Sequence, residues 1–477
     1  MTVKITLLSH ACLLIETPDI KFATDPWIVG PAFASGWWNA KEPPVDWQKI
    51  INDVDFIYMS HNHNDHLNEF TLEHINKNMK FIVPDFTTKS VERPLNNLGF
   101  QNIAPIKPKD TYIEKDCAFN IYQSGDDRDD SGLLMNYKGF KFLTSVDSVN
   151  LNNGDLPKKV TVYASSFAGG SSGFPLMFER MEQTPIIPKS DVAYERIVRD
   201  NEQRKKAILF QNLQTLKADV KKTIYNTKAQ FYLPYAGFYK VDNDYVTAND
   251  TLLEPKDYKY ENIGLNADGD YEKERYEYYK YQLLDTSVYD NFEFNIASRI
   301  NLNYHVKEST IQRKQEKKVE IEKYKNLFKH QQKSLLVIEG YFLNSKFQHN
   351  LILYLNLCRQ NNEFETPLYY HIIDFSGKNP TFETHIRSGV ANYDIIMSKV
   401  IEENKNIRKF NLENEEKKKE IHILKLSIKL RSFLYVIKNK RPLEDIITGY
   451  QCVVDREPNN FKVDKDFWYH FTNVYTG

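Results

Sequence analysis

The stretch Asp55-Phe-Ile-Tyr-Met-Ser-His-Asn-His-Asn-Asp-His-Leu67 decides how this chain is read. Residues 54–59 form an apolar run rich in β-branched and aromatic side chains, which predicts a short buried strand. Ser60 ends it, and His61, His63, Asp65 and His66 follow at once. Imidazole nitrogens and carboxylate oxygens are the usual ligands of zinc, iron and manganese. A loop leaving a rigid strand can aim such a set at one or two ions. The bland alternative is a polar loop that happens to hold histidines. With only 12 His among 477 residues, three so close together argue for metal. Residues 68–76 predict a short helix that pins the loop from its far side.

Composition sets the frame around this stretch. Apolar residues make up 41% and charged residues 27%, ordinary for a globular protein, and the length allows two or three domains. The net charge of −1 offers no basic field for nucleic acid. The first residues, Met-Thr-Val-Lys-Ile-Thr-Leu-Leu-Ser-His, read as a strand rather than a signal peptide. No run approaches the roughly 18 apolar residues that a membrane helix needs. Cys12, Cys117, Cys358 and Cys452 are far apart and form no C-x-x-C pair, so reduced thiols in a cytoplasmic protein are expected.

The His-x-His-x-Asp-His pattern after a buried strand resembles the metal motif of the metallo-β-lactamase fold superfamily. That resemblance implies an α/β fold, a four-layer αββα sandwich with a one- or two-metal site at its edge. Residues 3–8, 11–16 and 22–24 read as the N-terminal strands, ending in Thr24-Asp25-Pro26. On the resemblance Asp25 orients the histidine loop or touches a second ion; by itself it is equally a turn residue before proline.

The proline- and tryptophan-rich loop that follows narrows the resemblance. Asp25-Pro-Trp, Gly30-Pro-Ala-Phe, Gly36-Trp-Trp, Glu42-Pro-Pro and Asp46-Trp look like the CMP-N-acetylneuraminate hydroxylase family, as does Ile57 to Leu67 with Thr71-Leu72 after it. Trp37 and Trp38 are placed on the substrate side. Ser165-Ser-Phe-Ala-Gly-Gly-Ser-Ser-Gly-Phe-Pro matches that family almost residue for residue. Its Gly169, Gly170 and Ser171 permit close backbone approach to a ligand.

Two departures and one match bear on the metal. Where the superfamily normally supplies a third-motif histidine, this chain has Gly125-Asp-Asp-Arg-Asp-Asp. A carboxylate there is either a substitute ligand or part of a solvated turn; Asp130 corresponds best to an acidic position of the hydroxylase family. Ser145-Val-Asp147 resembles the fourth motif, whose aspartate bridges ions. After the strand at 230–233, many relatives place a last histidine, but here stands Pro234-Tyr235-Ala-Gly-Phe-Tyr239, so Tyr235 is expected to face substrate. The ligand set expected for the metal is therefore His61, His63, Asp65, His66, Asp147, Asp130 and Asp25. More oxygen donors favour iron or manganese over zinc.

Residues 1–245 are expected to form the catalytic domain. Residues 246–332 mix charges at helical spacing and read as a mostly helical connector. Residues 333–477 read as a small α+β domain that caps the site or mediates association. Its strands are expected at 335–339, 351–355 and 369–373, and its helices near 395–403 and 415–436. The resemblance implies a metal-dependent oxygenase, iron favoured and one or two ions per chain, acting on a sugar-like, nucleotide-sugar or acyl-amide small molecule. The chain lacks the Cys-x-His and Cys-x-x-His pairs of a Rieske cluster, so either a separate ferredoxin or reductase would supply electrons or the chemistry differs. The runner-up is a hydrolase of the same superfold, in which Asp65 orients a metal-activated water toward an ester, amide or phosphodiester. A degenerate scaffold is the third reading, and the intact histidine loop speaks against it.

Overall fold

The computed structural model describes residues 2–40, 43–126, 128–148, 150–168, 192–241, 281–284, 291–295, 306–307, 335–358, 367–385, 389–449, 451–457 and 464–477. Two sheets face each other. The first orders its strands Val306–Lys307, Asn291–Asn295, Thr2–Leu7, Leu13–Glu16, Lys21–Thr24, Phe56–Tyr58, Phe81–Pro84 and Ile103–Ile106. The second runs Gln282–Leu283, Phe231–Tyr235, Val162–Ser166, Phe140–Val146, Ser131–Tyr137, Cys117–Gln123 and Thr111–Glu114.

Alternation along the strands explains the layers. Val3, Ile5, Leu13, Ile15, Phe22, Phe56 and Tyr58 meet Phe119, Ile121, Leu133, Met135 and Phe142 in the core between the sheets. Their neighbours Leu14, Ala23 and Ile57 point the other way, into a core shared with Trp47, Ile51, Leu72 and Leu95 of the outer helices. On the far side Leu143, Tyr163 and Tyr232 pack against Val220 and Ile224 of the long helix Val192–Thr227. The period-2 pattern of each strand thus feeds two cores at once. The result is the expected α/β sandwich with helices outside both sheets.

Three strands from the expected helical connector, at residues 282–283, 291–295 and 306–307, pair into these sheets. The rest of 246–332 lies outside the described residues.

The C-terminal part carries a separate five-stranded sheet, ordered Thr381–His385, Pro367–Asp374, Leu351–Cys358, His422–Lys429 and Cys452–Glu457. Two expectations are corrected here. Residues 335–339 are not a strand but the start of the helix Leu335–Leu343, which buries Ile338, Tyr341 and Phe342 on one face. A short apolar run reads equally well either way, and here helical spacing matched the available core. Residues 415–436 are not one helix. His422–Lys429 is a central strand with Leu424, Leu426 and Ile428 facing one core and Ile423 the other, and the helix is Leu430–Lys438. Strand pairing on both sides overrode the helix-forming lysines and leucines. Among the described residues no helix is long and apolar enough to cross a membrane.

Candidate metal centre

The strand Phe56–Tyr58 runs parallel between Lys21–Thr24 and Phe81–Pro84, so its carboxyl end is held on both sides. The loop leaves from that end. It closes tightly, with the backbone N–H groups of His66 and Leu67 donating to His63 O at 3.1 and 2.8 Å. Asn68 caps the short helix Glu69–Leu72, its Oδ1 accepting from Thr71 N at 3.1 Å while its Nδ2 donates to Asn64 O and Pro31 O at 3.0 Å. The second sheet ties in through Ser131 Oγ, which donates to Ser60 O at 2.7 Å.

This frame gathers two sets of potential ligands. His61, His63 and Asp147 offer atoms within 4.8 Å of one another, and so do His10, Asp65 and His66. The sets adjoin. Asp147 Oδ2 stands 3.9 Å from His61 Nε2 and 3.3 Å from His66 Nε2. Asp147 reaches in because the strand before it breaks register between Thr144 and Val146, and Val146 takes a left-handed φ of 51°. That conformation is unusual for a β-branched residue and marks a constrained turn.

The donor set fits a divalent metal. His61 Nε2, His66 Nε2 and Asp65 Oδ1 are buried without a hydrogen-bond partner among the described residues. Buried lone pairs left unmatched are costly, and a cation in these two sets would satisfy them. The other ring nitrogens of His61 and His66 face oxygens. His61 Nδ1 shares a 2.9 Å hydrogen bond with Ser60 Oγ and lies 3.5 Å from Asp130 Oδ1. His66 Nδ1 lies 3.3 Å from Asp25 Oδ2.

Electrostatics separate the three loop histidines. Burial, with His66 and His63 beside it, drives His61 well below the usual imidazole range, leaving its lone pair free. Burial also acts against the cation at His66, but Asp65 and Asp147 outweigh it and hold that imidazole well above the usual range. At His63 burial is again outweighed, by Glu444, Asp65 and Asp147, which push it up to about 9. Asp65 is held well below the carboxylate range because His66 and His10 overcome its burial. Asp130 goes the other way, pushed up to about 7 by burial despite nearby Arg128.

The remaining expected site residues divide. Asp25 is fully buried, with a left-handed φ of 37°. Its Oδ1 accepts from Ser60 N at 2.8 Å and its Oδ2 from Ser60 Oγ at 2.9 Å, so it stands behind the histidine loop. Asp129 accepts from Ser90 Oγ at 2.8 Å and from Thr88, and Asp126 pairs with Arg128 at 2.8 Å; neither lies in the two ligand sets. Residue 127 lies outside the described residues. Tyr235 is fully buried with its hydroxyl bonded to that of Thr144. Trp37 stacks on Tyr239 at 3.8 Å, 6.3 Å from the His10 ring. Trp38 is buried in the core of the C-terminal part. Gly169, Gly170 and Ser171 lie outside the described residues.

Two residues were missed by sequence reasoning. His10 sits in the turn between the first two strands, where its Nε2 shares a 3.1 Å contact with Asp65 Oδ2. The signal available was a Ser-His pair inserted between two apolar strands. Glu444 comes from the C-terminal part, 3.6 Å from His63 Nε2. No local signal marks it, because its position depends on how the two parts pack.

Residues 4–153, which carry the histidine loop, match the family model of the Beta-lactamase superfamily domain. The chain is more particularly similar to cytidine monophosphate-N-acetylneuraminic acid hydroxylases. It is 36% identical over 263 residues to that of Asterias rubens, covering 53% of this chain and 38% of the relative. With that of Pongo pygmaeus it is 34% identical over 269 residues, covering 54% and 42%. The chain thus spans only about two fifths of the length of these relatives. Among solved structures, CmlA, a diiron β-hydroxylase from Streptomyces venezuelae, aligns at 16% identity over 49% of this chain and 44% of that one, TM-score 0.29. The isothiocyanate hydrolase from Delia radicum gut bacteria aligns at 16% identity over 60% and 97%, TM-score 0.37.

Proposed function

We propose that this chain is a metal-dependent hydroxylase, with iron the favoured ion and one or two ions per chain. Its substrate class is a sugar-like, nucleotide-sugar or acyl-amide small molecule. The observation that carries the reading is the pair of adjoining His/carboxylate sets, joined by Asp147, with buried nitrogens and an oxygen that lack hydrogen-bond partners among the described residues. The 34–36% identity to named hydroxylases over about half the chain supports the choice of chemistry.

On this reading His61, His63 and Asp147 hold one ion and His10, Asp65 and His66 hold the other. A bound iron would supply Lewis acidity and one-electron chemistry with dioxygen. Hydroxylation of R–H consumes dioxygen, two electrons and two protons and yields R–OH and water. The electrons come from a separate donor of the ferredoxin or reductase class. Asp25 and Ser60 keep His61 and His66 oriented. Asp130, pushed up to about 7, can hold and release a proton at its carboxyl near neutral pH.

The catalytic unit is residues 1–245 together with the edge strands contributed from 246–332, and residues 333–477 form the C-terminal domain that covers the histidine loop. Four buried free cysteines agree with a reducing, cytoplasmic setting.

The test is elemental analysis of anaerobically purified protein, followed by oxygen uptake with a reduced ferredoxin and CMP-N-acetylneuraminate. Near-stoichiometric iron and substrate-dependent uptake are expected. Zinc alone, with ester or amide hydrolysis and no oxygen uptake, would replace this reading by the hydrolase.

A further inference from the structure

We infer that Glu444 of the C-terminal domain is a positioning residue of the metal centre, orienting His63 through its Nε2. The inference rests on the metal reading of the site but not on oxygen chemistry.

Each loop histidine turns one ring nitrogen toward an oxygen acceptor. For His61 these are Ser60 at 2.9 Å and Asp130 at 3.5 Å, and for His66 it is Asp25 at 3.3 Å. For His63 it is Glu444, whose Oε2 stands 3.6 Å from Nε2. A carboxylate behind a ligating histidine sets its tautomer and ring orientation and raises its basicity. The catalytic domain supplies this group for two histidines; the third receives it from another domain. With Nε2 facing Glu444, Nδ1 is the nitrogen left for an ion shared with His61 and Asp147.

The domain contact is built to hold that carboxylate in place. Asn62, beside His63, donates from Nδ2 to Thr472 O at 3.1 Å. Leu443 N, just before Glu444, donates to Phe471 O at 3.0 Å. Arg441 Nη2 donates to Leu67 O at 3.3 Å at the far end of the loop. Arg93 makes a further contact that involves neither Glu444 nor Leu443, donating to the carbonyls of Val474 and Asn473, both at 2.9 Å. Arg441 and Leu443, which precede Glu444, are thus tied to the histidine loop and to the segment beside Thr472.

The experiment titrates metal-free full-length protein with Fe(II), anaerobically, in competition with a chromophoric chelator. Glu444→Gln keeps shape and removes charge, Glu444→Asp keeps charge and shortens reach, and Arg93→Ala loosens the domain contact without touching Glu444. Thermal unfolding of each metal-free variant reports folding. Glu444→Gln is expected to weaken Fe(II) binding on the order of 10- to 100-fold, Glu444→Asp less, and Arg93→Ala within about two-fold of wild type. Unchanged affinity in both Glu444 variants overturns the inference alone. So does an equal loss in Arg93→Ala, which would trace the effect to docking. Absence of saturable Fe(II) binding by the wild type overturns the metal reading, and this inference with it.

Discussion

Oδ2 of Asp25 stands 3.3 Å from Nδ1 of His66, with both side chains sealed from solvent. The same carboxylate receives the backbone N–H and hydroxyl of Ser60 at 2.8 and 2.9 Å. One residue from an early strand end thus fixes both the start of the histidine loop and its last imidazole. Asp25→Ala leaves buried donors unmatched and is expected to destabilise by about 1–3 kcal/mol, with weaker metal binding. Thermal unfolding and chelator competition measure the two effects. A variant with wild-type Tm and affinity would remove Asp25 from this role.

His10 belongs to only one of the two ligand sets. His10→Ala is expected to lower bound metal by at most one ion per chain, whereas His61→Ala strikes the other set. Elemental analysis of the two variants, alone and combined, distinguishes separate sites from one. Full metal content in both single variants and in the double variant would sink the ligand assignment.

Metal affinity should rise with pH. Against its burial, Asp65 and Asp147 hold the metal-free His66 imidazole well above its usual range. An ion must displace that proton, so binding tightens as pH climbs through neutrality and above. Chelator competition between pH 6 and 9 checks the sign. Removing the metal at saturating concentration should also lower Tm, since binding to the folded state alone contributes about 2.7 kcal/mol at a hundred times Kd.

Two glycines let the N-terminal and C-terminal parts meet backbone to backbone. A Cβ on Gly449 would lie 1.9 Å from Phe33 O, and one on Gly36 would lie 2.2 Å from Gly449 O. Neither neighbour can swing aside as a side chain would. Gly449→Ala is expected to cost about 1–3 kcal/mol, as overpacking does, read as a drop in Tm. An unchanged Tm would mean that the domains do not meet as described.

Arg441 sits buried between Glu69 and Asp445, 3.7 and 3.3 Å from their carboxylates, and Tyr435 donates its hydroxyl to Glu69. Arg441→Met strands two buried acids and is expected to cost about 3–5 kcal/mol. Adding Glu69→Gln should recover part of that loss. Strict additivity in a double-mutant cycle would argue against the network.

Much was legible in the sequence because the signals were local. Alternating apolar residues in Val3 to Leu7 and the unbroken apolar run of Phe56 to Tyr58 mark strands, both being local patterns. His61, His63, Asp65 and His66 share one short loop, so their convergence needs only that loop's geometry. The residues 335–339 misled for the opposite reason. A short apolar run fits strand or helix, and only the core it meets decides between them. The lysines within 422–429 likewise hid a strand whose partners come from far along the chain.

What the sequence determined by itself was the strands and the loop histidines, properties of residues close together in the chain, while the sandwich followed from the resemblance those residues carry. What only the tertiary structure decided was the company those histidines keep. His10 arrives from the first turn, Asp25 from a strand end, Asp147 by a register break, and Glu444 from the C-terminal part of the chain. Such groups meet because separate elements pack on common cores, and packing is a long-range property that no local pattern encodes.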